Sequence, residues 1–178
     1  MPVKILLPRL TVILLTIILF AIAPNAWSAS FTIVDGQFVT SQQTLLDPGD
    51  TGTINSGGDL TTSVIAIATS ASNITVLNNG AITTSGYNAY GIDSRSNSGT
   101  NTFTNSGTIT TSGTTGYGIY LLQNSGTTTA TNSGTITTSG QYGHGMYSKN
   151  QASGGISTFT NSGAITTSGD SSRGIYSN

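Results

Sequence analysis

The 178-residue sequence has no cysteine and no glutamate, and charged side chains make up only 6% of it. Without cysteine there is neither a disulfide framework nor a thiolate metal site. The few cations are unevenly placed: Lys4 and Arg9 lie in the first ten positions, leaving Arg95, Lys149 and Arg173 against six aspartates in the remainder. That remainder carries a net charge of −3 and has no basic stripe to neutralise a phosphate backbone, so nucleic-acid binding is excluded. The scarcity of carboxylates also bears on catalysis, because a carbohydrate-active enzyme needs acidic or basic groups clustered on one face to move protons. Asp93 and Asp170 fall at different places in the chain's repeat, and Asp35, Asp47, Asp50 and Asp59 lie in a leader where turns are expected. Asp47-Pro48-Gly49-Asp50 reads as a turn rather than a calcium loop. No catalytic residue, metal site or cofactor follows from these residues.

What is present begins with an address. Two positive charges precede an apolar run over residues 10–23, Pro24 and Asn25 break it, and Ala26-Trp27-Ser28 places small residues where a signal peptidase cuts. A membrane-spanning helix needs about 20 apolar residues to cross ~30 Å of hydrocarbon, and Arg9 blocks extension of this shorter run. Residues 1–28 are therefore read as a Sec signal peptide, with the Sec export machinery as a partner and cleavage before Ala29.

The rest is a tandem repeat. Asn78-Asn79-Gly80-Ala81-Ile82-Thr83-Thr84-Ser85-Gly86 recurs, with Asn-Ser-Gly at its start, from Asn105, Asn132 and Asn161, at spacings of 27, 27 and 29 residues. Each copy continues into Tyr90-Gly91-Ile92-Asp93, Tyr117-Gly118-Ile119-Tyr120, His144-Gly145-Met146-Tyr147 or Arg173-Gly174-Ile175-Tyr176. A degenerate copy begins near Ser56. Thr on both sides of each Ile or Phe is the alternation of a half-buried strand, and β-branched Thr suits a pleat. Asn-Ser-Gly and Ser-Gly supply the turns.

Three short strands per repeat predict an all-β fold, a right-handed parallel β-helix (solenoid) of about four full coils plus one partial. One coil cannot bury its few apolar side chains alone, but stacked coils bury them against each other. The organisation expected is a signal peptide over 1–28, a leader and N-terminal cap over 29–53, and coils over 54–178 starting near 56, 78, 105, 132 and 161. Three inward ladders follow: Leu60, Ile82, Ile109, Ile136, Ile165; Ile67, Ile92, Ile119, Met146, Ile175; and Ile54, Val76, Phe103, Ala130, Phe159. The turn asparagines are expected to form a further ladder, amide to amide.

The repeat also interprets the residues that attract suspicion. His144, the one histidine, aligns with Tyr90, Tyr117 and Arg173 at an outward position before a glycine, where rings stack along the axis. The serines have no partnered base and acid, so no hydrolase triad is supported. Two outward features are candidates for surface binding. One is the threonine column Thr83, Thr110, Thr137 and Thr166; the other is the aromatic strip of Tyr120, Tyr147 and Tyr176 beside Tyr90 and Tyr117.

The Asn-Ser-Gly-Thr-Ile-Thr-Thr-Ser-Gly phrase followed by Tyr-Gly-Ile-Tyr, with a leader over residues 31–59 holding Val39-Thr40 and Asp47-Pro48-Gly49-Asp50-Thr51, resembles the N-terminal passenger region of bacterial autotransporters. That resemblance implies a β-helix exported from a Gram-negative cell to the outer membrane, cell surface or medium, or retained in the periplasm where no translocator is present. The C-terminal translocator barrel of that family has no counterpart in these residues, so a fragment of a longer passenger is expected. The leading reading is a non-enzymatic surface adhesin or stalk that meets host or matrix glycans or proteins, with end-to-end self-association through its uncapped last coil. Behind it stand an ice-binding Thr-array solenoid and, last, a carbohydrate-active β-helix enzyme.

Overall fold

The computed structural model describes residues 30–178 apart from 97, 124 and 151–153. The expected signal peptide lies outside the described residues. The described chain is a parallel β-solenoid with three strands per coil, and its strands form three sheets of six.

Sheet one stacks β1 (Phe31–Ile33), β4 (Thr51–Ile54), β7 (Thr75–Asn78), β10 (Thr100–Asn105), β13 (Thr127–Asn132) and β16 (Ile156–Asn161). Sheet two stacks β2 (Phe38–Val39), β5 (Asp59–Thr62), β8 (Ala81–Thr84), β11 (Thr108–Thr111), β14 (Thr135–Thr138) and β17 (Ala164–Thr167). Sheet three stacks β3 (Gln43–Leu45), β6 (Ile67–Thr69), β9 (Ile92–Ser96), β12 (Ile119–Gln123), β15 (Met146–Asn150) and β18 (Ile175–Ser177). The segment expected as leader and cap thus winds into the stack itself, since β1, β2 and β3 pair in parallel with β4, β5 and β6.

Two of the expected ladders pair rung by rung. Leu60, Ile82, Ile109, Ile136 and Ile165 stand in register through sheet two, and Ile67, Ile92, Ile119, Met146 and Ile175 through sheet three. The third differs at its start, because Ile54 pairs with Asn78 while Val76 pairs with Gly52. That column runs Phe31, Gly52, Val76, Phe103, Ala130, Phe159. The cause is a turn-length difference: four residues separate β4 from β5, but two separate β7 from β8. Counting back from Leu60 therefore misplaces Ile54 by two positions. Side-chain size alternates inside the narrow core, and Gly52 is part of that pattern, since a Cβ there would sit 2.6 Å from Cε1 of the Phe31 ring.

The asparagine ladder forms next to this column. Asn78, Asn105 and Asn132 are buried, and each donates its amide to the carbonyl oxygen of the Asn in the next coil at 2.7 Å, ending on Asn161. Ile33 and Ile54 continue the column toward the N-terminus, so polar rungs give way to apolar ones without leaving Asn78 unpaired. The second Thr of each Thr-Thr pair turns inward and ties the following loop. Thr84 donates to Ala89 O, Thr111 to Gly116 O and Thr138 to Gly143 O, at 2.9, 2.8 and 2.6 Å.

Candidate functional site

The exterior of sheet three carries the chain's densest side-chain chemistry. In each of the later coils a glycine opens the strand and keeps the crossing backbone close: a Cβ on Gly118 would lie 2.5 Å from Gly145 O. The residue before that glycine and the second residue of the strand then project to the same outer face. Repetition at the coil spacing of about 4.8 Å brings the rings within stacking range.

Two interleaved columns result. Tyr90, Tyr117 and His144 stack nearly parallel, with centroids 4.9 and 5.3 Å apart and planes 7° and 9° from parallel. Beside them Tyr120, Tyr147 and Tyr176 repeat at 5.4 and 5.3 Å, and the columns meet edge to face, as at Tyr117–Tyr147 with 74° between planes. Arg173 ends the first column with its guanidinium 4.1 Å from the Tyr176 centroid. The five tyrosines expected as one strip are brought together. Their faces, however, lie largely against each other: Tyr90 and Tyr120 are only 8% and 9% exposed. The strip offers ring edges more than open stacking platforms.

Burial sets the electrostatics of these rings. It pushes the Tyr90 phenol up to about 12, with Tyr117 and Asp93 adding to the shift, and raises Tyr117 and Tyr120 as well. His144 is 7% exposed, and its Nδ1 accepts the backbone N–H of Arg173 at 3.0 Å. An acceptor at Nδ1 is unprotonated, so the ring is neutral with its proton on Nε2. Burial and then Arg173 hold its pKa below the usual histidine value. A base already accepting a main-chain N–H is a packing element of the ladder.

The column changes character toward the N-terminus. Tyr120 is preceded in register by Asp93 and then Ala68. Asp93 is 2% exposed, and Arg95 donates from Nε to both of its carboxylate oxygens at 3.1 and 2.9 Å. Burial raises the Asp93 pKa despite that partner. Here the surface opens into a hollow of about 340 Å³ whose lining includes Leu46, Ile65, Ala68, Asp93 and Arg95. The repeat signalled this pair only indirectly, as a place where Asp stands where later coils have Tyr.

The threonines expected as a second site lie on a different sheet. Thr83, Thr110, Thr137 and Thr166 are in register on the outside of sheet two, and Thr61 extends the column. Sheet one carries a column that sequence reasoning missed: Thr51, Thr75, Thr102, Thr129 and Thr158. Its signal was the Thr on either side of each Phe or Ala rung. Asp47 and Asp50 form a turn, in which Asp50 Oδ2 accepts the Asp47 N–H at 3.0 Å and Gly49 adopts φ 89°. Among the described residues no group of three or more His, Asp or Glu side chains is placed to hold a metal.

The stacked parallel sheets define a parallel β-helical domain. A family profile described as the BigA third pectate lyase-like domain matches residues 21–178. The chain belongs to that family, which consists of β-helical domains from bacterial surface proteins. No curated protein and no solved structure matches it. A fold name carries no activity with it, because function resides in the site.

Proposed function

We propose that the chain is a non-enzymatic segment of an exported bacterial surface protein, acting as an adhesin or a stalk in the manner of an autotransporter passenger. The observation that carries this reading is that its reactive groups are taken up in structural contacts. His144 accepts a main-chain N–H, Asp93 is held by Arg95, and the buried asparagines bond one another. Proton-transfer chemistry needs a group held ready for a substrate, whereas His144 and the asparagines join one coil to the next and Asp93 is tied to Arg95 within its own strand. A weakly charged solenoid with regular outer columns fits presentation at a surface.

The test combines activity, binding and export. Polygalacturonate incubated with the purified chain is expected to yield no unsaturated product, and chain-coated beads are expected to adhere to immobilised host glycans or matrix proteins. Cleavage of the substrate would sink the non-enzymatic reading. Residues 1–28 fused to a periplasm-dependent reporter are expected to export it, and the genomic DNA downstream of codon 178 is expected to encode a translocator barrel. A cytoplasmic reporter or an intact unrelated gene would each count against the passenger assignment. Because β16, β17 and β18 form one outer edge of the three sheets and Ile156 and Ile175 are exposed there, the isolated chain is expected to associate end to end.

One observation favours a second reading. On sheet two Thr83, Thr110, Thr137 and Thr166 stand beside the column Ala81, Thr108, Thr135 and Ala164, the kind of two-column array with which an ice-binding solenoid orders water. Thermal hysteresis at high protein concentration would support it, and its absence would remove it.

A further inference from the structure

The hollow beside Asp93 exists because the aromatic column is interrupted. Sheet three places Ala68, Asp93, Tyr120, Tyr147 and Tyr176 in one outward column. Where the later coils carry rings that fill the surface, Ala68 leaves a gap, and Leu46, Ile65 and Arg95 help to wall it. Its volume of about 340 Å³ falls at the lower end of the ~300–1,000 Å³ usual for small-ligand pockets, room for one or two sugar rings.

We infer that this hollow is a binding subsite for a neutral sugar residue of a surface glycan, with Ala68 and Ile65 against the apolar face of the ring and the Arg95 guanidinium, held in place by Asp93, donating to its hydroxyls. The chemistry of the lining selects that class. Asp93 and Arg95 neutralise each other at 2.9 Å, so the site has no net charge with which to favour an anion or a cation. Asp93, its side chain only 3% exposed, fixes Arg95, whose side chain is 52% exposed, so the guanidinium offers its remaining N–H donors to adjacent hydroxyl oxygens. Leu46, 58% exposed at the rim, adds apolar surface for ring C–H groups. The edges of Tyr120 and Tyr147 continue from the hollow along the axis, a path for further sugars of the same chain. This deepens the adhesive reading above and rests on it.

The test uses the whole chain, isotopically labelled and titrated separately with glucose, galactose, mannose and N-acetylglucosamine, with galacturonate and an acidic tripeptide as charged comparisons. At least one neutral sugar is expected to shift the backbone signals of Ala68, Ser70, Asp93 and Arg95. Ala68→Tyr fills the hollow with the repeat's own residue and is expected to abolish those shifts while leaving the β-sheet circular dichroism and Tm intact. Asp93→Asn, which keeps the shape, is expected to weaken binding about tenfold, equivalent to 1.4 kcal/mol. No response to any neutral sugar, preference for galacturonate or the peptide, or undiminished binding by a folded Ala68→Tyr chain would each overturn the inference. Bead adhesion separates the two claims. Equal adhesion by wild type and Ala68→Tyr overturns the subsite and leaves adhesion standing; sugar-induced shifts at Asp93 without bead adhesion support the subsite and remove the adhesive role.

Discussion

Single side chains in this protein act through their counterparts one coil away. Asn105 donates to Asn132 and accepts from Asn78, both at 2.7 Å and both buried. Asn105→Ala takes the donor from Asn132 Oδ1 and leaves Asn78 Nδ2 with Thr108 O at 3.1 Å, and an unsatisfied buried group costs about 1–3 kcal/mol. A loss of about 2–4 kcal/mol in urea unfolding is expected. Asn161→Ala, at the exposed end of the ladder, removes one ladder bond and an exposed bond to Gly163 O and is expected to lose about 0.5–1.5 kcal/mol. Equal losses would contradict the ladder account. His144 supplies a pH signature. Its folded pKa is depressed by burial and Arg173, so the unfolded chain takes up a proton first as pH falls below the ordinary value near 6.5. The stability it contributes is complete above that value and is lost as pH drops toward the folded pKa. Tm is therefore expected to fall further between pH 7 and pH 5 in wild type than in His144→Tyr, which restores the ring of the two preceding coils.

The turns, more than the strands, decide whether coils can stack at the element scale. Gly113 approaches the previous coil so closely that a Cβ would lie 1.8 Å from Gly86 O. Gly113→Ala must force the coils apart and is expected to cost about 3 kcal/mol or more, whereas outward Thr110→Ala should stay within about 0.5 kcal/mol. Thermal melts of the two variants check the contrast. The adjacent loop holds Asn88, Thr115, Tyr142 and Ser171 at φ between 53° and 60°, a left-handed conformation that asparagine tolerates and β-branched threonine resists. Thr115→Asn is expected to raise stability by about 0.5–1 kcal/mol. Strand identity was legible from Thr-Ile-Thr-Thr alternation. The pairing of Ile54 was not, because it depends on a turn two residues longer than its successors.

For the whole molecule, stability is close to a sum of coils and the interfaces between them. Removing residues 105–131 deletes one 27-residue period and joins Thr104 to Asn132, restoring the same phrase. The shortened chain is expected to fold with unchanged circular dichroism shape and a slightly lower Tm; an unfolded product would show that the coils are not interchangeable. Sequence alone determined the three-strand coil, two complete apolar ladders and the asparagine ladder, because a solenoid places residues one period apart in direct contact and so turns spacing into proximity. It also identified the five tyrosines as one strip. Tertiary structure alone decided what that strip presents. Stacking at about 5 Å turns the ring faces against each other, and the hollow arises where Ala68, Asp93, Leu46, Ile65 and Arg95 converge. Leu46 and Ile65 come from turns whose lengths vary from coil to coil, so no repeat period registers them; only the path of the folded backbone brings them beside Asp93.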